Sequence, residues 1–419
     1  MKVLYFVLKI LAKLVIRKYK PKIIGITGSV GKTSTKEAVF SVLYNKFNVN
    51  KGINNYNNEI GLPLLIFNKK SGDKSIFKWL LIFVYVIKIL IFKDKNYPKI
   101  LILEMASDKI GDIKYLTSIA KPDIALITVI GSSHLENFGS LKNIIKEKGS
   151  ILDKLNKNNY AILNQDDKEV INFKEKIKSK VITFGRSKES DVYISSINII
   201  FKNGIIGTSF KLNYSGSKIP IFLPNILGWQ YAQAAAAATA VGLSLGMNLV
   251  EIGKNLIYYK PIKGRINLIK GIKNTYIIDD TYNSSPKSSI AALEVLNNFP
   301  VNGRKIAVFG DMLELGKLTE KGHLQVGKKV VEFDIDYLFT LGDKSKDISK
   351  GAKEFGMLEN NIFSFLSTKD IILSLKDKLK KDDIILIKGS RGIKMEKIVY
   401  EIMKEKLEAN KLLVSKINK

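Results

Sequence analysis

The residues from Lys22 to Val39, KIIGITGSVGKTSTKEAV, combine glycines, a lysine and hydroxyl side chains in a pattern suited to phosphate. A strand-like run leads into the glycines, and a helix-like run follows them. Backbone N–H groups and the helix dipole at such a helix start attract phosphate. Lys32 would reach the β and γ phosphates, and the Thr33 hydroxyl would bind Mg²⁺. The predicted nucleotide-binding residues in this loop are Gly28, Ser29, Gly31, Lys32, Thr33 and Ser34.

The spacing of this loop departs from the common motif G-x-x-x-x-G-K-[ST]. The position five residues before Gly31 is Ile26, not glycine. By itself the loop therefore predicts ATP or a similar nucleotide, and it does not say which reaction the nucleotide serves.

Two further polar residues follow buried-strand patterns. Glu104 ends the run ILILE, and His134 comes shortly after DIALITVI. Ligands of open α/β sheets bind at the carboxyl ends of the strands, so both side chains are expected on the edge that carries the phosphate loop. Glu104 is predicted to bind Mg²⁺. The alternatives are a carboxylate held by helix N-termini and a histidine that only fills the surface.

The order of apolar runs predicts an α/β fold. From Ile23 to Gly185, short apolar runs alternate with helix-length segments, which indicates a central domain with a parallel sheet. Residues 190–224 alternate polar and apolar side chains around Asn-Gly and Ser-Gly, which predicts a small antiparallel section. After a boundary near Tyr258–Gly264, a second alternating pattern predicts a C-terminal Rossmann-like α/β domain. The predicted divisions are an N-terminal helix over 1–20, a central ATP-binding domain over 21–260 and a C-terminal domain over 261–419.

The chain is strongly basic, with a formal net charge of +29, and has no cysteine. The lack of cysteine excludes disulfides and thiolate metal sites and suits the reducing cytoplasm. Only five of the 68 basic residues are arginine. Proteins that grip nucleic acid usually rely on arginine forks, so this composition argues against a nucleic-acid partner.

Two apolar segments carry scattered lysines. Residues 1–20 are too short and too charged for a confident membrane span, and residues 76–92 are borderline because Lys78 and Lys88 interrupt them. One interpretation is a pair of buried helices packed on each other. The other is a shallow anchor on the anionic inner face of the membrane, with Trp79 and Tyr85 at the interface. In either case we expect a monomer.

Eight motifs in order along the chain resemble the Mur ligase family, from about Lys22 to Val399. The family's loop has the shorter form G-x-x-G-K-[TS], which accounts for the spacing above. The motifs are TGSVGKTS, NNYNNEIGLPL, LEMASDKIGDI, HLENFGS…KEKG, GRINLIKG, IIDDTYNSSP, VFGDMLELG and LIKGSRGIKMEKIV. They are most similar to those of the members that add D-alanyl-D-alanine to UDP-N-acetylmuramoyl-tripeptide.

The resemblance implies an ATP-dependent ligase that forms an amide through an acyl phosphate, in peptidoglycan precursor synthesis. It implies two Mg²⁺ ions, one held by Thr33 and Glu104 and the other with the help of His134. Lys148 matches the lysine that the family carbamylates, which turns a cation into an anionic metal ligand. Asn57 and Asn58 match an asparagine pair near the acceptor substrate and the γ-phosphate. An Asn-rich turn is the alternative for that pair.

In the C-terminal half, the resemblance assigns nucleotide contacts to Arg265, Asp280, Tyr282 and Asn283. Lys388, Ser390 and Arg391 follow the last predicted strand, where the family receives the incoming dipeptide. An arginine fork suits its carboxylate. Asp311, Glu314 and His323 also belong to the resemblance, but the chemistry of the sequence assigns them no role.

The sequence departs from the family in front of the phosphate loop. Family members carry a UDP-binding domain there, whereas only about twenty apolar and basic residues precede the first strand. Three other functions therefore stay open. They are a ligase for a different, membrane-linked acceptor, a non-catalytic ATP-binding module at a membrane, and a nucleic-acid-binding ATPase.

Overall fold

The computed structural model describes residues 2–52, 56–131, 135–300 and 302–415. Contacts within the chain divide it into two compact units. The first unit comprises Met1–Ser195, Lys211–Ile221 and Ala232–Tyr259, and the second comprises Ser196–Phe210, Phe222–Tyr231 and Lys260–Lys419. Helices and mostly parallel strands alternate along the chain, as the sequence predicted. The domain limits given above stay predictions.

The chain up to residue 256 forms nine strands and ten helices in the described residues. The strands are β1 Lys22–Thr27, β2 Val49–Asn50, β3 Ile100–Glu104, β4 Ile124–Ile127, β5 Tyr160–Asn164, β6 Lys180–Gly185, β7 Val192–Lys202, β8 Ile205–Tyr214 and β9 Ser217–Pro224. The helices are α1 Lys2–Tyr19, α2 Lys32–Leu43, α3 Gly61–Ile66, α4 Ile76–Ile91, α5 Asp112–Ile119, α6 Leu135–Phe138, α7 Leu141–Gly149, α8 Lys168–Ile171, α9 Trp229–Ser244 and α10 Leu249–Leu256.

These strands form one sheet in the order β2-β3-β1-β4-β5-β6-β7-β8-β9. Strand β1 is parallel to both β3 and β4, with Ile26 opposite Glu104 on one side and Leu126 on the other. All five residues of β3 are buried, because helices cover both faces of a parallel sheet. The phosphate loop after β1, Glu104 at the end of β3 and Thr128 after β4 therefore lie at one edge of the sheet.

Strands β7, β8 and β9 follow one another through two-residue turns, at Asn203-Gly204 and Ser215-Gly216. All four turn residues have positive φ, which is the geometry of type I′ hairpins. Two-residue connections join only antiparallel neighbours. The antiparallel section that the Asn-Gly and Ser-Gly pairs predicted is thus present.

Helices α1 and α4 contact each other in the first unit and share its core. The buried residues are Leu8, Ala12 and Val15 on α1 and Ile82, Val86 and Ile89 on α4. At the ends of the helices, Lys18 Nζ donates to the carbonyl of Leu90 over 3.0 Å. No helix in the described part of the chain combines the length and apolar character that crossing a bilayer requires.

The second half of the chain forms six strands and six helices in the described residues. They are β10 Asn267–Lys270, β11 Tyr276–Asp280, α11 Pro286–Asn297, β12 Lys305–Gly310, α12 Thr319–Glu332, β13 Tyr337–Leu341, α13 Lys346–Glu354, β14 Ile362–Phe365, α14 Thr368–Lys378, β15 Ile384–Lys388, α15 Glu396–Ile402 and α16 Ala409–Leu412. The sheet order is β10-β11-β15-β12-β13-β14, and among the described strands of this sheet only the β10–β11 pair is antiparallel. This is the open α/β sheet that the sequence predicted.

Candidate active site

Two glycines shape the phosphate loop. Gly28 has a φ of 143° and Gly31, the residue before α2, has a φ of 87°. A Cβ atom at Gly28 would overlap the hydroxyl of Thr128. Only glycine allows both the backbone conformation and this close approach, so the loop leaves its N–H groups at the start of α2 available to an anion.

The loop is fastened to the segment that follows β4. The N–H of Ser29 donates to the carbonyl of Val129 over 2.7 Å, and the hydroxyl of Ser29 accepts from the N–H of Gly131 over 3.0 Å. The hydroxyl of Thr128 donates to the carbonyl of Val30 over 2.6 Å. These bonds hold the loop in shape without help from a ligand. Phosphate binding is therefore favoured, because little conformational entropy is lost when the loop binds it.

Lys32 lies in the first turn of α2 and folds back over the loop. Its Nζ donates to the carbonyl of Gly28 over 2.8 Å and lies 3.4 Å from the carbonyl of Ser29. Nζ of Lys32 therefore lies against the backbone of the glycine loop, where it would meet the phosphates of a nucleotide bound there. Ser34 is held through its backbone carbonyl, which accepts from the hydroxyl of Tyr259 over 2.8 Å.

Glu104 is the buried carboxylate of this edge. Its Oε1 accepts from the hydroxyl of Thr33 over 3.3 Å and from the side-chain amide of Asn57 over 3.4 Å. Its Oε2 lies 3.6 Å from Nζ of Lys36 and has no hydrogen-bond partner in the described residues. A buried carboxylate oxygen without such a partner beside a hydroxyl suits Mg²⁺, which prefers hard oxygen ligands. Thr33 and Glu104 thus fit the predicted magnesium site.

Lys148 is almost fully buried near the end of α7. Its Nζ donates to the hydroxyl of Ser107 over 2.6 Å. Burial and, to a smaller extent, the positive charge of Lys32 together lower the pKa of Lys148 to about 7, against the opposing effect of Glu147. Near neutral pH a large fraction of this amine is therefore uncharged, which is the form that reacts with carbon dioxide.

The remaining residues predicted in the central domain differ in their surroundings. The side-chain oxygen of Asn58 accepts from the N–H groups of Ile60 and Gly61, so in this structure it caps the start of α3. Its predicted catalytic role stays a prediction. His134 lies outside the described residues. Among the described residues, no cluster of three acidic or histidine side chains forms a metal site.

In the second unit, Arg265 lies over the ring of Tyr282, with 4.3 Å between its Cζ and the ring centroid. The carbonyl of Arg265 accepts from the hydroxyl of Tyr231, and the carbonyl of Gly264 accepts from the N–H of Tyr282 over 3.0 Å. Two residues that the family resemblance predicted to bind the nucleotide are thus brought together as a stacked pair.

Lys388 ends β15 and is 1% exposed at its side chain. Its Nζ donates to Oδ2 of Asp280 over 2.6 Å and to the carbonyl of Asn283 over 2.8 Å. Lys388 therefore holds the turn that contains the predicted nucleotide contacts. Its predicted contact with the dipeptide stays a prediction, and the bonds seen here are those of a positioning residue.

Ser390, Asp311 and His323 are buried and form hydrogen bonds with nearby groups of the chain. The hydroxyl of Ser390 accepts from the N–H of Leu313 over 2.9 Å, and the N–H of Ser390 donates to the carbonyl of Asp311 over 3.0 Å. Nε2 of His323 accepts from the N–H of Met312 over 3.0 Å, and its Nδ1 lies 2.7 Å from the carbonyl of Thr319. A carbonyl only accepts, so Nδ1 carries the proton and His323 is neutral. Burial also lowers the pKa of His323. His323 is thus structural in its described contacts.

Arg391 is partly exposed and is held by a buried carboxylate. Its Nη1 donates to Oε1 of Glu396 over 2.8 Å, and the side chains are 42% and 2% exposed, respectively. The hydroxyl of Ser415 donates to the same Oε1. Only one end of the guanidinium is bound in this pair, so its other N–H groups remain able to bind a carboxylate.

Comparison with known proteins agrees with these motifs. Residues 26–77 and 85–242 match the Mur ligase middle domain, and residues 264–391 match the Mur ligase, glutamate ligase domain. The chain is 36% identical over 394 residues to the UDP-N-acetylmuramoyl-tripeptide–D-alanyl-D-alanine ligase of Buchnera aphidicola, covering 93% of this chain and 78% of the relative. The chain belongs to the Mur ligase family.

Solved structures of the Mur ligase family have the same fold. MurF from Acinetobacter baumannii is similar with a TM-score of 0.79 and 26% identity, covering 96% of this chain and 81% of that one. MurF ligase from Thermotoga maritima, in complex with ADP, is similar with a TM-score of 0.78 and 27% identity, covering 97% of this chain and 84% of that one. The resemblance that the sequence motifs suggested is confirmed.

Three residues of this Mur ligase site were not predicted from the sequence. Lys36 is one helical turn beyond Lys32, and residues four apart share a helix face, so the spacing could have indicated it. Thr128 directly follows a buried parallel strand, which is the general signal for the binding edge. Ser107 carries no such signal, because only packing places it beside Lys148.

Proposed function

We propose that this chain is an ATP-dependent ligase that joins D-alanyl-D-alanine to a UDP-N-acetylmuramoyl-tripeptide in the synthesis of peptidoglycan precursors. The relative from Buchnera aphidicola and one from Bacillus subtilis, which is 32% identical over 95% of this chain, are both named for that reaction. The protein from Thermotoga maritima was solved with ADP. These names support ATP and the two small-molecule substrates for this chain.

The observation that carries the proposal is the position of Glu104 in the first unit. Thr33 from the phosphate loop, Asn57, which is predicted to lie near the acceptor, and Lys36 all approach this one buried carboxylate. A nucleotide on the loop and an acceptor at Asn57 would therefore meet within a few ångströms of each other. That proximity is what transfer of a phosphoryl group to a carboxylate requires.

The reaction brings two anions together, so cations have to lie between them. Lys32 would stabilise the charge on the transferred phosphoryl group, and a Mg²⁺ ion on Thr33 and Glu104 would supply further positive charge there. The acceptor carboxylate takes the γ-phosphoryl group, which leaves ADP. The amine of the dipeptide then forms the C–N bond, loses a proton and expels phosphate.

Lys148 would act as a carbamate. When the carbamate forms, the neutral Nζ of Lys148 attacks carbon dioxide, a C–N bond forms and one proton leaves. The hydroxyl of Ser107, which now accepts from Nζ, would keep the group in place. The resulting anion would hold a second Mg²⁺ together with the predicted ligand His134.

The test is an assay of phosphate release with purified protein, ATP, Mg²⁺ and both substrates. Release is expected only when the tripeptide and the dipeptide are both present. Lys32→Ala should abolish release and weaken ATP binding at least a hundredfold. Lys46→Ala, an exposed lysine near the end of the same helix, is the control and should leave both unchanged. A folded protein that binds ATP but forms no amide with these substrates would contradict the proposal.

We also propose that the chain acts in the cytoplasm as a monomer and touches the anionic inner face of the membrane. The support for the membrane contact is the apolar and basic character of residues 1–20 and 76–92. Sedimentation with vesicles is the corresponding measurement.

A further inference from the structure

Helix α1 has two apolar faces, of which only one is used in the first unit. Its buried face, which includes Leu8, Ala12 and Val15, packs into the core. On the opposite side, large apolar side chains recur every three or four residues and are exposed to solvent. They are Val3, Phe6, Val7, Ile10 and Leu14, with Phe6 64% exposed.

Helix α4 repeats this arrangement. Ile82, Val86 and Ile89 are buried, and the other side of the helix is apolar and exposed. The exposed apolar residues on this side, including Phe92 directly after the helix, are Ile76, Phe77, Leu80, Leu81, Val84, Ile87, Ile91 and Phe92. Single exposed apolar residues are normal, whereas thirteen on two touching helices form a patch of the kind that marks an interaction site.

The charged residues within these two helices have one sign. Neither α1 nor α4 contains an acidic residue, and the first acidic residue of the chain is Glu37. Basic residues are interspersed on the same helices, including the exposed Lys13, Arg17 and Lys88. Long basic side chains extend along an apolar surface and keep their charge in the polar layer above it. This combination complements a bilayer with anionic headgroups.

The family's chemistry does not account for the patch. The match to the Mur ligase middle domain begins at residue 26, after α1, and omits residues 78–84 inside α4. None of the exposed side chains on these helices contacts the phosphate loop, Glu104 or Lys148 in the described bonds. The exposed faces of α1 and α4 can therefore serve a function other than catalysis.

We infer that the outer faces of α1 and α4 together form the surface by which the chain docks on an anionic lipid bilayer. This inference rests on the membrane contact proposed above and identifies the residues that make it. The apolar side chains insert among the acyl chains at the headgroup boundary, while the lysines and Arg17 stay with the phosphates. Trp79 and Tyr85 on α4 are only partly exposed and would lie at the rim.

The test is sedimentation of the full chain with vesicles of phosphatidylcholine alone and with phosphatidylglycerol added. The wild type should bind the anionic vesicles, lose that binding in high salt and bind the neutral vesicles at least tenfold more weakly. The variant Leu80→Gln/Val84→Gln/Ile87→Gln should bind the anionic vesicles at least tenfold more weakly. Phe6→Gln/Ile10→Gln should also weaken binding to the anionic vesicles, because both residues lie on the exposed face of α1.

The matched control is Leu358→Gln/Leu366→Gln/Leu373→Gln, which changes three apolar residues elsewhere in the chain that are at least as exposed as those on α4. Its vesicle binding should stay within twofold of the wild type. All variants should unfold at the wild-type temperature and release phosphate at the wild-type rate, because the substitutions lie on the surface and away from the site.

The outcomes separate the inference from the proposals on which it rests. If the wild type binds anionic vesicles and the α4 variant binds them equally well, the assignment of the docking surface to α1 and α4 is contradicted, whereas the proposed membrane contact is supported. If the wild type binds no vesicle, both fail, while the ligase assay remains independent. If light scattering shows a dimer that the α4 variant dissociates, and no vesicle binding, a second copy covers the patch and the inference is overturned.

Discussion

The side-chain nitrogen of Lys148 and the hydroxyl oxygen of Ser107 lie 2.6 Å apart, both almost fully buried. Burial that lowers the pKa of Lys148 to about 7 makes this lysine different from the solvated lysines that dominate the chain. The pair therefore offers a direct test of whether Lys148 is structural or reactive.

Lys148→Ala should reduce turnover at least a hundredfold and leave ATP affinity within a few-fold of wild type, because the loop and Lys32 are unchanged. Phosphate release and ATP binding by calorimetry measure the two effects. Lys146→Ala, an exposed neighbour on α7, is the control. With ¹³C-bicarbonate, the wild type should show a carbamate resonance that Lys148→Ala lacks. Unchanged turnover in Lys148→Ala would contradict the carbamate hypothesis.

Lys388→Met should destabilise the second unit by about 3–5 kcal/mol, because the carboxylate of Asp280 would lose the buried partner that it contacts. Urea unfolding followed by fluorescence measures this change. The double variant Lys388→Met/Asp280→Asn should recover much of the loss. A single variant as stable as the wild type, with only its affinity for the dipeptide reduced, would instead favour the substrate-binding role that the motif predicted.

Asp279 should make stability depend on pH. Burial, with smaller contributions from the charges of Asp280 and Glu396, raises the pKa of Asp279 to about 7, against the opposing hydrogen bonds from Thr281. Between about pH 4 and pH 7 the folded chain keeps a proton that the unfolded chain has lost, so the free energy of unfolding falls as the pH rises. The contribution is at most about 4 kcal/mol. Asp279→Asn should flatten this dependence when unfolding is compared at pH 5 and pH 8, and identical slopes for both proteins would contradict it.

Arg391→Ala should raise the KM for D-alanyl-D-alanine at least tenfold and leave the KM for ATP nearly unchanged, because the fork is proposed to bind the dipeptide carboxylate. Arg391→Lys should give a KM for D-alanyl-D-alanine between those of the wild type and Arg391→Ala, since lysine keeps the charge and loses the fork. Glu396→Gln should shift the same KM through the position of Arg391. Lys397→Ala, an exposed residue on α15 next to Glu396, is the control. An effect of Arg391→Ala confined to ATP would rule out this assignment.

Much of the fold followed from local patterns. The buried runs that end at Thr27 and Glu104 predicted parallel strands because both faces of such strands are covered and their residues are continuously apolar. Asn203-Gly204 and Ser215-Gly216 predicted hairpins because these pairs adopt the positive φ that tight turns need. The glycines around Lys32 predicted the loop for a similar reason. Each of these signals lies within a few neighbouring residues.

The sequence by itself thus determined the α/β architecture, the phosphate loop and the family, since each is written in local spacing and residue type. The tertiary structure alone decided which groups meet. It placed Lys36 and Asn57 on Glu104, Ser107 against Lys148, and Lys388 under the turn at Asp280. It also decided which faces of α1 and α4 are buried, because helices that are apolar on both sides give no local signal for the side that the core takes. Distances between residues that are far apart in the sequence depend on the packing of whole sheets, and no pattern of neighbouring residues encodes them.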